Sequence, residues 1–561
     1  MTSSPSKTAI AKNFSREILM KVSDYFAPLY SSSVIASTLI FAPFVFSAET
    51  SAQAGTDTVV ILESYELGRY NPVLGHGRSG ESHIYQGLYR VETGVFDRQP
   101  QLNPKLASGP AVASENNKVW TVPLRTDVKF SDGTAFGPED VVATYKALID
   151  PRSASTEIST WDNIENVESE KDAVKFTLKE PLANFDRRLI NGIAPSEAFD
   201  FAHLGRAETS PLNNKPVGTG PYALTELRPD QAILTARPDY WGPKPKVNKI
   251  IFRYTADDNA RAQQLRAGEG DGTVLPAELA STFKSPEFNV ISVKSGDWRA
   301  ISLPAGNPVT GDDAIRLAVN YAVNRENMVK YVLKGYGVAN STFLAPFYGE
   351  AYDPAQEFTY NPERAKKILD EAGWKPGPDG IRVKNGQRAA FEVIYYPNRD
   401  RSRRDLTLAA VNDLKKIGIQ VTPSARDSKS VTREVYANTP VMLGGGVVPY
   451  SVDGQIYHIL HSKYAEPGVG ANWDNASDYR SPVIDRLLDE ARAQTDSHKQ
   501  AELYRELQEE YHKKPAVLQL VYLNHVYVQR EQGFKNVKEI LEPHSHGVGF
   551  GPWFAIEEWG K

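Results

Sequence analysis

Residues 120–142 read WTVPLRTDVKFSDGTAFGPEDVV, and this stretch says more about the fold than any other. It predicts a pair of strands whose apolar face is formed by Val122, Leu124, Val128 and Phe130. The sequence Ser-Asp-Gly-Thr at 131–134 predicts a turn. Pro138 then predicts the first residue of a helix. The stretch therefore indicates a strand-turn-helix unit.

A second stretch, PVGTGPY at residues 216–222, is unusual in its glycine content. We expect Gly218 and Gly220 to give the backbone conformations that are closed to other residues. Neither stretch offers a catalytic nucleophile, a phosphate-binding loop or a cluster of metal ligands. Together they indicate a binding protein rather than an enzyme.

Further segments follow in a fixed order along the chain. They are DYWG at 239–242, IIF at 250–252, AIRLAVNYAVNR at 314–325 and YNPERAKKIL at 360–369. With the first two stretches, these segments resemble the bacterial extracellular solute-binding proteins of family 5. That family comprises the dipeptide, oligopeptide and nickel receptors of ABC importers. Matching segments run from about residue 58 to about residue 530, nearly the whole chain after its amino-terminal region.

The resemblance implies an α/β fold, a two-lobed periplasmic binding protein of type II-like topology and the large class. We expect lobe I over residues 55–294, with an inserted subdomain at about 90–210. Lobe II is expected over 295–520, and 521–561 is expected to return to lobe I. The chain should cross between the lobes near 293–300 and near 520–525.

Composition agrees with this reading. A chain of 561 residues exceeds what one hydrophobic core usually supports, which favours two or three domains. The 41% hydrophobic and 24% charged residues are typical of a globular protein. The formal net charge of -5 gives no basic surface for nucleic acid, so that class of partner is not expected.

The amino-terminal region predicts where the protein works. Residues 34–46, VIASTLIFAPFVF, are a short apolar run that follows several lysines and an arginine, and Ala52-Gln53-Ala54 resembles a cleavage site. The run is shorter than the roughly 20 residues of a membrane-spanning helix. We expect a cleavable signal peptide within residues 1–54, with Met20 a candidate start, and a periplasmic location; an uncleaved amphipathic anchor is the alternative.

The chain contains no cysteine. This excludes disulfides, thiolate catalysis and thiolate metal sites. It also excludes the lipid-bearing cysteine that many Gram-positive binding proteins carry, so we do not expect a lipoprotein. A periplasmic protein of a Gram-negative bacterium fits best.

Several local elements can be predicted from pattern. Residues 59–62 predict a buried strand, and 82–88 predict a helical turn. Residues 257–267 predict a helix that ends at Gly268. Residues 406–417 predict another helix, which is followed by a strand at 419–421. Residues 481–507 predict two helices broken near Asp496.

Histidine is scarce, with ten in the chain, and three stand in loops. His76 lies in Leu-Gly-His-Gly, and His544 and His546 lie in Pro-His-Ser-His-Gly. Imidazole is a ligand for nickel, copper and zinc, and an extended His-x-His places both rings on one side of the chain. Because the resemblance brings these segments into one lobe, the three histidines are a candidate metal site, with surface or capping roles as the alternative.

The resemblance is closest to the nickel-binding branch, through GIRVKNGQ at 380–387 and LAP at 344–346. A histidine that some nickel-binding relatives place before residues 482–485 has no counterpart here, since Gly-Val-Gly occupies 468–470. The three loop histidines would have to replace it. Nickel, with a small chelator such as histidine, is then the transported ligand, and no resident cofactor is expected.

Other residues are candidates for ligand contact. Arg399 and Arg401 follow a predicted strand beside Tyr396, and a guanidinium can bind a carboxylate through two hydrogen bonds. Trp298, at the expected crossing, could stack on a ligand or pack in the core. Asp453 follows an aromatic loop, where peptide receptors of this family place the aspartate that meets the peptide's amino group. The rest of that pattern is missing.

Two alternatives remain beside a nickel receptor. The first is a dipeptide or oligopeptide receptor of an ABC importer. The second, more remote, is a secreted metal-dependent hydrolase, although no His-Glu-x-x-His or Gly-x-Ser-x-Gly motif and no paired-carboxylate signature is present. We predict no enzyme activity, a monomer, and an ABC permease and ATPase complex of the inner membrane as partner.

Overall fold

The computed structural model describes residues 58–74, 83–397, 400–531, 537–544 and 549–559. Its strands are β1 Thr58–Glu63, β2 Tyr89–Val91, β3 Leu102–Pro104, β4 Val112–Ser114, β5 Val119–Pro123, β6 Ile164–Glu170, β7 Ala173–Leu178, β8 Tyr222–Leu227, β9 Gln231–Ala236, β10 Lys249–Tyr254, β11 Gly272–Val274, β12 Phe288–Ser302, β13 Gly337–Ala339, β14 Lys375–Pro376, β15 Arg382–Lys384, β16 Gln387–Arg388, β17 Ala390–Tyr395, β18 Gln420–Ala425, β19 Met442–Gly445 and β20 Val517–Arg530.

The α-helices are α1 Pro138–Ile149, α2 Ile158–Trp161, α3 Asp258–Ala267, α4 Ala277–Ala280, α5 Asp313–Ala322, α6 Arg325–Asn327, α7 Pro362–Glu371, α8 Arg401–Lys415, α9 Arg433–Asn438, α10 Val452–Leu460, α11 Pro482–Ala493 and α12 Ser497–Lys513. Short 3₁₀ turns and one π-helical turn, Met328–Val332, join them. Within the ranges that the structure describes, we find no helix with the length and apolar character needed to cross a bilayer.

A nine-stranded sheet organises the molecule, in the order β19-β12-β20-β11-β1-β10-β9-β8, with β13 also paired to β20. β1 is parallel to β10 and β11, and the other pairs are antiparallel. β12 and β20, of 15 and 14 residues, form a long antiparallel pair. Its ladder is interrupted between Lys294 and Trp298, and the irregularity brings separate parts of the chain together there.

A second, four-stranded sheet, β4-β5-β7-β6, has a core of its own beneath α1. The residues that predicted this unit, Val122, Leu124, Val128 and Phe130, are all buried in it. Tyr145 of α1 meets Phe176 of β7 edge to face, with ring centroids 5.0 Å apart. The helix start and the buried face are as predicted, but only the first of the two predicted strands is present, because residues 124–136 make isolated bridges instead of a strand.

Arg237 explains why the two opening stretches occur together. Its guanidinium donates to the carbonyl oxygens of Phe130 at 2.9 Å, Gly218 at 3.2 Å and Gly220 at 3.3 Å. The backbone N–H of Ser131 also donates to Gly218 O at 2.9 Å. One buried cation therefore ties the turn of the first stretch to the glycines of the second.

Our reason for the two glycines was wrong. Neither Gly218 nor Gly220 has a positive φ. Instead, both lie against the backbone of the preceding segment, and a Cβ on Gly220 would come within 2.5 Å of the carbonyl oxygen of His83. A Cβ on Gly218 would collide with the carbonyl oxygen of Ile84. Close approach, not an unusual conformation, requires glycine here.

Gly218→Ala should therefore destabilise the protein by about 1–3 kcal/mol, because backbone cannot yield as a flexible side chain can. Urea unfolding followed by circular dichroism measures this. Gly205→Ala is the matched control, since its Cβ would meet only the Thr209 hydroxyl, at 3.8 Å. Equal stability of the two variants would contradict this account of the glycine.

The local predictions fared unevenly. α3 begins one residue after its capping Asp257 and is capped by Gly268, and α11 and α12 are separated where Asp496 caps the second helix, as predicted. The helical turn predicted at 82–88 was wrong: the described residues 83–88 are not helical. Their carbonyl groups accept from Gly220 N at 2.8 Å and Tyr222 N at 3.1 Å, which holds this segment beside the 216–222 stretch.

Candidate functional site

Three charged or polar side chains lie around Gly444, the next-to-last residue of strand β19. A Cβ on Gly444 would lie 2.5 Å from Nη2 of Arg403, 2.8 Å from Nη1 of Arg299 and 2.9 Å from Cε1 of His544. These residues come from α8, from β12 and from the carboxyl-terminal segment 537–544. Gly444 and Gly445 are partly exposed. We call this the Gly444 site.

Arg299 is held between two carboxylates. Its Nη2 lies 2.7 Å from Oδ2 of Asp400, and Nη1 pairs with Oδ1 of Asp297. Asp400 also caps α8 by accepting from Ser402 N at 2.8 Å. Burial alone would raise the pKa of Asp400, but the charges of Arg299 and Arg403 lower it to about 2. Arg299 is thus neutralised and is committed to structure.

Arg403 is different, because it is buried and forms no ion pair among the described residues, although the charges of Asp400 and Asp297 act to raise its pKa. Its Nη1 donates to Met442 O at 2.6 Å, while Nε has no hydrogen-bond partner within the part of the chain that the structure describes. Burial, and then repulsion by Arg299, lowers its pKa to about 10, so it is still a cation at neutral pH. It lies in the first turn of α8, where the helix dipole also favours an anion. The chemistry fits a carboxylate.

His544 completes the site. Its Nδ1 lies 2.6 Å from Oδ1 of Asp297, and its side chain is 25% exposed. Burial outweighs the attraction of Asp297 and lowers the pKa of His544, so the imidazole is neutral at neutral pH. Nδ1–H then donates to Asp297, and Nε2 makes no hydrogen bond among the described residues. A neutral imidazole nitrogen in this state is a metal ligand, with the carboxylate as its orienting partner.

Two predicted aromatic residues line the same region. Trp298 is buried, packs edge to face on Phe343 at 5.2 Å, and lies so close to Gly445 that a Cβ there would collide with its ring. Tyr396 lies 5.8 Å from the Arg403 guanidinium, and its hydroxyl bonds to that of Tyr436 at 2.6 Å. Tyr396 therefore packs near Arg403, and Trp298 packs against Gly445. Both side chains are buried and offer little surface to a solute.

Asp453 has another role. It is buried, its oxygens bond to Arg492 at 2.7 Å and 3.1 Å, and it also pairs with Arg188. A carboxylate that two guanidinium groups already enclose has no free face for a ligand's amino group. Arg401, the first residue of α8, is exposed. The geometry favours neither residue as a ligand contact.

The remaining predicted residues, His76, His546 and Arg399, lie outside the described residues. Within the described ranges, no three histidine, aspartate or glutamate side chains are arranged to hold a metal. The three-histidine site therefore stays a prediction, of which only His544 is seen.

Arg403 was missed, because in this run of charged residues only Arg399 and Arg401 were considered as ligand contacts. The signal lay in the run Gly444-Gly445-Gly446, since glycines at the end of a strand mark a close approach by another group. Asp400 was also a recognisable helix cap, five residues after a strand. Those two features together place the first turn of α8 against the glycines.

Comparison with known proteins identifies the family. Residues 101–466 match the family model described as bacterial extracellular solute-binding proteins, family 5 Middle. The chain belongs to this family. It is the substrate-binding protein of an ABC importer, and the two-lobed fold that we predicted is confirmed by the solved structures it matches.

Protein XP55 of Streptomyces lividans is 36% identical to this family 5 receptor over 481 residues, 84% of each chain. The nickel-binding periplasmic protein of Escherichia coli is 26% identical over 508 residues, 85% of this chain and 91% of that protein. The structure of NikZ from Campylobacter jejuni in complex with Ni(L-His) is 25% identical and covers 90% of this chain and 99% of that chain, with a TM-score of 0.75. Oligopeptide-binding protein AppA of Bacillus subtilis is 26% identical over 458 residues.

Proteins of this family work with ABC permease and ATPase components and bind small solutes or peptides. The similar proteins are periplasmic or extracellular receptors rather than enzymes. The family membership leaves the solute open, and the Gly444 site is the part of the molecule that bears on it.

Proposed function

We propose that this receptor captures nickel as a small chelate, with Nε2 of His544 as a metal ligand and Arg403 as the partner of the chelator's carboxylate. His76 and His546 would supply further metal ligands. The observation that carries the proposal is the pairing, on one glycine, of a neutral imidazole with a free nitrogen and a buried guanidinium that forms no ion pair among the described residues.

Charge favours a chelate over the bare ion. A divalent cation beside His544 would be repelled by the buried Arg403, and repulsion is strong where water is excluded. A chelator such as histidine removes this conflict, because its carboxylate can pair with the guanidinium while its nitrogens bind the metal. The similarity to NikZ, whose structure holds Ni(L-His), supports this choice.

A short peptide is the second candidate, and Arg403 is the observation in its favour. A peptide's terminal carboxylate could fill the place that we assign to the chelator, and AppA is an oligopeptide-binding relative. The commitment of Asp453 to two arginines removes the partner we had considered for the peptide's amino group. Nickel chelate is therefore the better proposal.

We also propose the lobe assignment given above, with residues 55–294 and 521–561 in one lobe and 295–520 in the other. His544 and Arg403 would then come from different lobes, so a ligand that contacts both would stabilise the form in which the lobes are closed. The permease and ATPase would receive that form. Residues 1–54, the expected signal peptide, lie outside the described residues.

Isothermal titration tests the solute. The metal-stripped protein is titrated with Ni(II) alone, with Ni(II) and L-histidine, and with a pool of di- to pentapeptides. We expect saturable heat with the nickel-histidine mixture, weaker binding of Ni(II) alone and no heat with peptides. Heat with peptides and none with nickel would overturn the proposal in favour of a peptide receptor.

Gly444→Ala should weaken binding of the nickel chelate and also lower stability. The new methyl group would displace the ends of Arg403, Arg299 and His544, and Asp297 and Asp400 hold the last two of these in ion pairs. We expect a loss of about 10-fold or more in affinity, since positioning partners of metal sites contribute effects of this size. Titration and a melting curve measure the two effects, and unchanged affinity would show that the ligand binds elsewhere. Gly205→Ala again serves as control.

A further inference from the structure

We propose that Asp297 is a positioning residue that holds His544 in the Nδ1–H form, and that His525 and Glu542 act through Asp297 to keep it in place. This inference rests on the metal-binding role proposed for His544. It concerns groups that do not touch the solute and that lie behind the site.

Asp297 is completely buried and is aimed by the irregularity in β12. The hydroxyl of Ser295 donates to Leu523 O at 2.6 Å and accepts from Asp297 N at 3.1 Å. Gly296 N donates to Glu542 O at 2.7 Å. These bonds fix the backbone that leads into Asp297, whose carboxylate faces His525 of β20 and His544 of the carboxyl-terminal segment.

His525 of β20 links Asp297 to a second buried carboxylate. Its Nε2 lies 3.2 Å from Oδ2 of Asp297, and its Nδ1 lies 2.5 Å from Oε2 of Glu542. Because both ring nitrogens face carboxylate oxygens, both carry a proton. Glu542 also accepts from the Tyr527 hydroxyl at 3.0 Å and from Gly551 N. Asp297, His525 and Glu542 are thus joined by hydrogen bonds into one buried network.

His544 is the member of this network that is partly exposed. Oδ1 of Asp297 accepts from Nδ1 of His544 and from Arg299, which in turn bonds to Asp400 at the start of α8. The proton position on a metal-binding histidine is set by the bond that its other nitrogen makes. Here that bond is made to a buried carboxylate, so Nε2 keeps its lone pair, and its ring neighbour Cε1 is the His544 atom that lies beside Gly444.

The same network also helps to position Arg403, because Asp400, which bonds to Arg299, caps the helix that contains Arg403. Asp297, Arg299 and Asp400 thus form one connected support for both ends of the proposed solute. If Asp297 acted only through its charge, its link through Arg299 to Asp400 would have no role in binding.

Two substitutions separate positioning from charge. Asp297→Ala removes the acceptor for Nδ1–H, so we expect the proton of His544 to move to Nε2 and nickel-histidine affinity to fall by about 10- to 100-fold. Asp297→Asn keeps an oxygen toward His544 if its amide group faces His525, which then donates only to Glu542. We expect Asp297→Asn to keep the Nδ1–H form and near wild-type affinity, although it has lost the charge.

The readout is the histidine side-chain nitrogen spectrum of the ¹⁵N-labelled protein, with the His544 signals assigned by their loss in His544→Gln. Titration with Ni(II) and L-histidine accompanies it. Asp200→Ala is the matched control, because Asp200 and His203 form a comparable pair, 3.0 Å apart, on the exposed surface. That variant should bind nickel-histidine like wild type.

The proposal is overturned if His544 of the wild-type protein carries its proton on Nε2. It is equally overturned if a folded Asp297→Ala variant keeps the Nδ1–H form and full affinity, or if Asp297→Asn loses as much affinity as Asp297→Ala. Should Asp297→Ala not fold, the wild-type spectrum and Asp297→Asn decide. Wild-type protein that shows the Nδ1–H form but binds no nickel would refute the proposed solute and leave the positioning role intact.

Discussion

Asp453→Ala is expected to lower the free energy of unfolding by about 3–5 kcal/mol, the largest effect on stability that we predict. The carboxylate is buried and bonds to Arg492 at 2.7 Å and 3.1 Å and to Arg188. Removing it leaves two buried guanidinium groups without a counter-ion. Burial alone would raise the pKa of Asp453, but Arg492 and Arg188 lower it to about 2.

A carboxyl whose folded pKa is lowered stabilises the protein above its unfolded value and loses that contribution as pH falls through the folded value. The difference between the variant and wild type should therefore be largest near neutral pH and should shrink as pH falls from about 4 toward about 2. Urea unfolding across this range measures the difference. Asp127→Ala is the control, because its ion pair with Arg125 is exposed and contributes little. Equal stability of Asp453→Ala and wild type would contradict the role of this pair.

His544→Ala is expected to reduce affinity for nickel-histidine by at least about 100-fold, because loss of a metal ligand exceeds the loss of its orienting partner. The pKa of His544 is lowered by burial, so the neutral form is available at neutral pH and no proton need be displaced from Nε2. Isothermal titration at neutral pH gives the change in affinity.

His203→Ala is the matched control for that experiment, since this imidazole is 85% exposed and pairs with Asp200 rather than with a residue of the Gly444 site. It should bind nickel-histidine like wild type. If His544→Ala also binds like wild type, the solute does not use this histidine and the metal-binding reading fails.

Much of the fold could be predicted, because local pattern and packing agree. In the 120–142 stretch the predicted apolar residues are buried and a helix starts at Pro138, and Asp257 and Gly268 bound α3. The 82–88 segment could not be predicted. Its conformation depends on hydrogen bonds to residues 220 and 222, which are far away in sequence. Local propensity cannot predict such bonds.

The candidate site was predicted less well, for a related reason. His544 was recognised from its residue type and its loop, but Asp297, Asp400 and Arg403 act through burial and pairing. Arg403 belongs to a run of charged residues, 399–405, in which buried and exposed arginines look alike. Asp453 was misread for the opposite reason, since the two arginines that enclose it are 265 and 39 residues away.

The most direct test is a crystal of the protein grown with Ni(II) and L-histidine, with anomalous scattering recorded at the nickel absorption edge. We predict one strong anomalous peak within bonding distance of Nε2 of His544, with the chelator's carboxylate against the Arg403 guanidinium. A nickel peak elsewhere, or an empty site that takes up a peptide instead, would contradict the account.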